Sequence, residues 1–150
     1  MTMTFADVRL GLRAYLLGSP EIASMVGGER VFPIRLPQGV KKNSIVFSRA
    51  TGSGDHHLQG VSGLSRPRFQ IDSWSQTESE STVLANYVKA RLDGFRGHME
   101  YGSNSPRDFI DVLGVFYSDE REDFDADSQL FRMSRDYFVW YRDYITGGVM

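Results

Sequence analysis

The chain of 150 residues contains no cysteine. That absence excludes disulfides, thiolate metal centres and cysteine nucleophiles, and it suits manufacture in a reducing compartment. An excess of basic residues is missing too: 17 Lys and Arg face 19 Asp and Glu, a formal charge of −2. Proteins that wrap DNA or RNA usually carry a basic stripe or a pI above about 9, whereas the pI here is near 5.9. Long apolar runs are absent as well. The opening stretch MTMTFADVRLGLRAYLL sets Asp7, Arg9 and Arg13 among its apolar residues, so it has neither a signal peptide's h-region nor a bilayer span of about 18 residues. A cytosolic site of synthesis and no membrane partner are expected. Catalytic signatures are equally scarce. No serine sits in a G-x-S-x-G elbow, and Gly52-Ser53-Gly54 is not followed by the Lys-Ser/Thr of a phosphate-binding loop.

What is present is enough for a packed core. Hydrophobic residues make up 41% and aromatics 13%, in a length that fits a single domain spanning residues 1–150. Phe5, Val8, Leu12, Tyr15 and Leu16 recur at helical spacing, with Thr4 as the expected N-cap. Ser19-Pro20 stops that helix and caps a second, short one that ends at Gly27-Gly28. Arg30 to Phe32 reads as a short extended piece, Arg35 to Asn43 as a surface loop, and Ser44 to Ala50 as a strand. Thr51 to Ser65, with four glycines, reads as a long inter-strand loop that binds something or moves.

Arg66 to Ser75 alternates as a strand, with Phe69, Ile71 and Ser73 on one face. Thr77 and Glu80 form a capping box for a helix whose apolar face is Val83, Leu84, Tyr87, Val88 and Leu92, closed by Gly94. Asp108 to Ser118 reads as a buried central strand. Asp119 to Asp127 holds six acids against Arg121 and reads as a solvated loop, and Leu130 to Asp143 as a long strand closing a hairpin. The expected fold class is α+β: a single antiparallel or mixed sheet of about 4–5 strands, helices on one face, and the long loop.

Three clusters invite a chemical reading. Asp55-His56-His57 would need three or four ligands and a supporting shell to hold a metal, and His98 is the remaining histidine. Asp123, Asp125 and Asp127 match the first spacings of an EF-hand loop, but Ser128 replaces its glycine and Ser134 its bidentate glutamate. Asp72 and Asp111 could converge as paired carboxylates, although outward polar positions of a sheet explain them more simply. No catalytic residue, metal or cofactor is therefore assigned. Aromatics on both faces of the last long strand, Phe131, Tyr137 and Tyr141 against Phe138 and Trp140, exceed what one core uses and point to an interface.

These landmarks together resemble the phage tail-completion family, the small tail terminator or tail-to-head joining proteins. The resemblance rests on LRAYLLGSPEIASMVGGERVFPIRLPQG (Leu12 to Gly39), SIVFSRATGSGDHHLQGVSGLSRPRFQIDSWSQT (Ser44 to Thr77), KARLDGFRG (Lys89 to Gly97) and RMSRDYFVWYRD (Arg132 to Asp143). It implies a structural protein, not an enzyme, that forms a ring, usually six-fold, at the head-proximal end of the tail tube. Its partners would be copies of itself, the tail tube protein and the head-tail connector or stopper, with DNA passing through the lumen unbound. The expected location is the virion, reached from the host cytoplasm. A stopper ring one layer higher is the alternative within this machinery, and a ligand-binding or hydrolytic domain using Asp72, Asp111 and His56 the alternative outside it. The contact residues expected are Asp55, His56, His57, Leu58 and Leu64 in the long loop, Asp123, Asp125 and Asp127 in the acidic run, and Phe138 and Trp140.

Overall fold

The computed structural model describes residues 2–5, 7–51, 63–103, 107–142 and 144–147. In chain order these form β1 (Thr2–Phe5), α1 (Val8–Leu17), α2 (Pro20–Met25), β2 (Val31–Pro33), β3 (Ser44–Thr51), β4 (Leu64–Ser65), β5 (Arg68–Ser75), α3 (Glu78–Leu92), β6 (Gly97–Tyr101), β7 (Asp108–Asp125), β8 (Leu130–Arg142) and β9 (Tyr144–Gly147).

The expected α+β class holds, but the sheet is larger than 4–5 strands. Its order is β2-β3-β5-β8-β7-β6, with β4 also paired to β8. Among the described strands only β2 and β3 run parallel, so the sheet is mixed. Two of its strands are missing from the sequence reading: β4, which falls at the end of the stretch Thr51 to Ser65 read as a loop, and β6. The sole buried residue of β6 is Met99, between exposed His98 and Glu100, which is too little apolar periodicity to register as a strand. The pairing with Asp108–Val112 forms it instead.

The N-terminus also departs from expectation. Thr4 and Phe5 lie in β1, which pairs with β9 in a separate two-stranded ribbon. Asp7 is the true N-cap of α1, accepting from the backbone N–H of Arg9 and Leu10. A cap set by local hydrogen bonding and a partner strand about 140 residues away together override the helical spacing of Phe5.

The helices lie on one face. Val8, Leu12 and Leu16 of α1, Ile22 of α2 and Leu84, Val88 and Leu92 of α3 join one hydrophobic cluster with Ile45, Phe47, Phe69, Ile71, Tyr137, Val139 and Tyr141. Gly11 permits the close seating of α1, since a Cβ there would stand 2.5 Å from Ile110 Cγ1. The α1 C-terminus is tied to α3 by Arg91, whose Nε donates to the Tyr15 carbonyl at 2.9 Å while its guanidinium lies 3.8 Å from the Tyr15 ring centre.

The capping residues of α2 and α3 fall where expected: Ser19 Oγ accepts from Ile22 N–H, and Thr77 Oγ1 accepts from Glu80 N–H at 3.1 Å. The capping box is only half made. Thr77 N–H donates to Ser75 Oγ, and the Glu80 carboxylate accepts from the Asn43 side chain at 3.0 Å. The stripe that α3 buries is Ser81, Leu84, Ala85, Val88 and Leu92. Val83 and Tyr87 are exposed instead.

The acidic run is strand rather than loop. Its first seven residues continue β7, Asp119 to Asp125 pairing with Asp136 to Leu130 of β8, and only residues 126–129 turn. Cross-strand cations explain this. Arg132 bonds Asp123 through two nitrogens, and Arg135 Nε donates to Glu120 at 3.1 Å, which offsets the repulsion that a free acidic run would feel. Arg135 also reaches Asn86 of α3 at 2.9 Å, fixing helix to hairpin.

Candidate interaction surfaces

The period of two along β5, β7 and β8 sends alternate side chains to the face away from the helices. There the sheet carries an ion network. Asp136, fully buried at 0% exposure, accepts from Arg68 Nε at 3.1 Å and Nη2 at 2.6 Å and from Arg121 Nη1 at 3.4 Å. Arg121 also donates to the Gln70 side-chain carbonyl at 2.7 Å, and the Gln70 amide donates to Asp72. Ser134 Oγ donates to Asp72 Oδ1 at 2.5 Å. Burial pushes the Asp72 carboxyl above its usual range, against the pull of Ser134, Gln70, Arg132 and Arg121. Three arginines thus face three aspartates, Asp72, Asp123 and Asp136. The network is internally neutral and holds the strands together.

Beside it lies an aromatic patch. Phe116 is directly across from Phe138, and Gly114 across from Trp140. Phe116 is 46% exposed and meets Trp140 edge-on at 5.2 Å. The Arg66 guanidinium stands 5.1 Å from the Trp140 ring centre. Phe138 and Trp140, singled out in the sequence, are therefore half-buried members of an exposed cluster. Phe131, Tyr137 and Tyr141 divide differently: the two tyrosines fill the core, and Phe131 sits half-buried near the hairpin tip.

That tip presents Phe124, 47% exposed, tilted against Phe131 at 4.9 Å. Asp125 and Asp127 line a hollow of about 430 Å³ with Trp74 and the loop residues Leu36 to Lys41, and Lys41 Nζ donates to the Ser128 carbonyl at 2.6 Å. Asp125 accepts from Ser128 N–H, and bonds from Ser128 hold its carboxyl below the usual range. Asp123 faces Arg132. Asp123 and Asp125 are thus engaged by Arg132 and Ser128, and Asp127 lines the hollow, so the three lie along a strand and turn rather than around one centre. Leu64 lies in β4 across from Arg142. Asp55, His56, His57 and Leu58 fall outside the described residues.

Asp72 and Asp111 do not converge. Asp72 pairs at the level of Ser134, whereas Asp111 bonds Arg142 at 3.1 Å, roughly 25 Å further along β8 at the usual rise. Among the described residues no group of three or more His, Cys, Asp or Glu is gathered closely enough to hold a metal ion, and no helix is long and apolar enough to cross a membrane.

At the other end of the sheet the helix side opens into a groove of about 570 Å³, lined by Arg9, Leu10, Ile34, Phe47, Arg49 and Tyr141 among others. Leu10 is 51% and Ile34 65% exposed. Sequence reasoning missed these positions. Leu10 was readable as an apolar residue off the α1 stripe, and Phe124 as one aromatic among six acids, whereas nothing in the local sequence marks Ile34.

Such a molecule, with the ions of its helix-free sheet face neutralised among themselves, offers its exposed apolar surfaces to contacts with other proteins. The comparisons with known proteins narrow this. The family model for tail completion protein gp17 matches residues 11–142, so the chain belongs to that family. It is a structural, tail-associated virion protein of bacteriophage type, not an enzyme. No curated protein matches it. Among solved structures it is similar in fold to a chain of the virion of a native gene transfer agent particle, with a TM-score of 0.60 and 12% identity. The match covers 87% of this chain and 90% of that one.

Proposed function

We propose that this protein forms a closed ring, six-fold in the manner its family resemblance implies, on the head-proximal end of a tail tube. The ring ends tube polymerisation and offers its other side to the head connector. The observation that carries this reading is the exposed Phe116, Phe138 and Trp140 cluster on the helix-free face, in a chain of the tail completion family. An aromatic cluster rimmed by arginine is the composition of an interface centre. Copies of the same chain, the tube protein and the connector are its partners, within the virion setting of its structural relative. Asp55, His56, His57, Leu58 and Leu64 serve as contact residues in this proposal, and residues 1–150 act as one domain.

DNA crosses the lumen without being held. A chain of net charge −2, whose Arg68, Arg121 and Arg132 are committed to aspartates, has little to offer phosphates. The test is to add the purified protein to purified tail tubes. Rings at one tube end, with elongation halted, support the proposal. Tubes that keep growing without a terminal ring overturn it.

A further inference from the structure

We propose that the β7–β8 hairpin tip of one copy, led by Phe124 and Glu122, seats in the groove formed by Arg9, Leu10, Ile34 and Arg49 of the next copy. This rests on the ring reading above and names the surfaces that close the ring.

Three observations carry it. The first is placement. The tip follows Asp125 at one end of β8, and Tyr141, at the other end, lines the groove. Ile34, held at Phe47, and Arg49 stand level with Arg135 and Tyr137 of β8, four to six residues beyond the level of Phe124 and three to four strands across the sheet from it. At about 3.3 Å per residue and about 4.8 Å per strand they lie roughly 24 Å from it, so a copy cannot fill its own groove through this rigid sheet. Both features lie on the helix side. A contact between two unlike, separated surfaces propagates head to tail, which is what a ring requires.

The second is complementarity. Glu122 and Phe124 share the helix side of β7 by register, opposite Met133 and Phe131. The groove offers exposed Leu10 and Ile34 to the aromatic ring. It offers Arg9 and Arg49 to the carboxylate, and neither arginine has a carboxylate partner among the described residues. Residues 119–127 sum to −5, with six acids against Arg121, and the remainder of the chain to +3, giving the total of −2. The groove lining itself carries Arg9, Arg13 and Arg49 against Asp7, and surfaces of opposite sign steer association.

The third is strain. Ile34 has a φ of 73°, a left-handed conformation that a β-branched side chain rarely adopts. Its N–H donates to the Phe47 carbonyl at 2.8 Å, which fixes the backbone there and leaves the side chain projecting into solvent. Glycine would adopt this conformation freely. A strained, exposed isoleucine therefore contributes nothing to the isolated chain, and its side chain has a use once a partner covers it.

The experiment compares the full-length wild type with Ile34→Gly, Glu122→Lys and Arg49→Glu. Sedimentation at low salt measures self-association, with and without tail tubes, and thermal unfolding measures the monomer. Ile34→Gly should raise the monomer's midpoint by about 2–4 °C while weakening self-association. Glu122→Lys and Arg49→Glu should each weaken it about tenfold or more, since each sets like charges face to face. An equimolar mixture of those two should recover an even-membered ring, because alternation restores opposite charges at every contact. Variants that assemble like the wild type, or a mixture that fails to recover, overturn the hairpin-in-groove contact and leave the ring reading standing. A wild type that forms no ring even at tube ends overturns both.

Discussion

Asp136 shows how one side chain can hold three strands. It sits on central β8 with no exposure, and its two arginine partners arrive from β5 and β7. Removing one member of a buried ion pair leaves uncompensated charge, at a cost of about 3–5 kcal/mol. Here both arginines keep substantial contact with water, which softens the loss. Asp136→Asn should therefore destabilise by about 2 kcal/mol, measured by denaturant unfolding with an unchanged m-value. Asp72 makes the opposite contribution. Its folded-state carboxyl binds a proton more tightly than the unfolded chain does. Its stabilising share is thus present below about pH 3.8 and is lost as pH rises through the raised value. Between pH 3 and 6, the stability of Asp72→Asn relative to wild type should climb. A flat or falling difference would remove burial as the dominant influence on Asp72.

At the scale of elements, the capping residues of α2 and α3 were legible, whereas the start of α1 and the buried face of α3 were not. Ser19, Pro20, Thr77 and Gly94 act through bonds to neighbours a few residues away, so their chemistry can be read locally. Thr77→Ala should cost about 1 kcal/mol through the lost Glu80 N–H bond. Gly94 has a φ of 81° and open space around its Cβ position, so Gly94→Ala should cost about 1–2 kcal/mol from backbone conformation alone. Thermal unfolding checks both.

What could not be read depended on distant partners. The α3 face turned out to use Ser81 and Ala85 rather than Val83 and Tyr87, because small residues let the helix sit close to β5 and β8. The acids from Asp119 to Asp125 joined β7 because Arg132 and Arg135 stand across from them. β6 exists because β7 offers it an edge. The aromatic half of the candidate surface, Phe138 and Trp140, was visible as a surplus over one core. Phe116 was hidden because the same apolar run supplies core residues Val112 and Val115, and only register separates them.

At the scale of the whole molecule, the two faces of the sheet carry separable tasks. The helix side holds the core, with the hairpin tip and the groove at its ends. The helix-free side holds the neutral ion network and the aromatic cluster. If ring closure uses the helix-side ends, the opposite face is left for a different virion layer. Phe116→Ser distinguishes these tasks. Phe116 is already half in water and gives up mainly its edge contact with Trp140, an interaction of about 0.5–1.5 kcal/mol, so the monomer should unfold within about 3–6 °C of the wild type. Self-association through the hairpin should persist. Attachment to tube ends or to the connector should fall, because truncating a central interface aromatic typically costs 2 kcal/mol or more, roughly a thirtyfold loss of affinity. Electron micrographs that count capped tubes, paired with sedimentation of the free protein, read both quantities on one sample. Loss of self-association with capping unchanged would mean that this face joins neighbouring copies, and would assign the layer contact to the helix side.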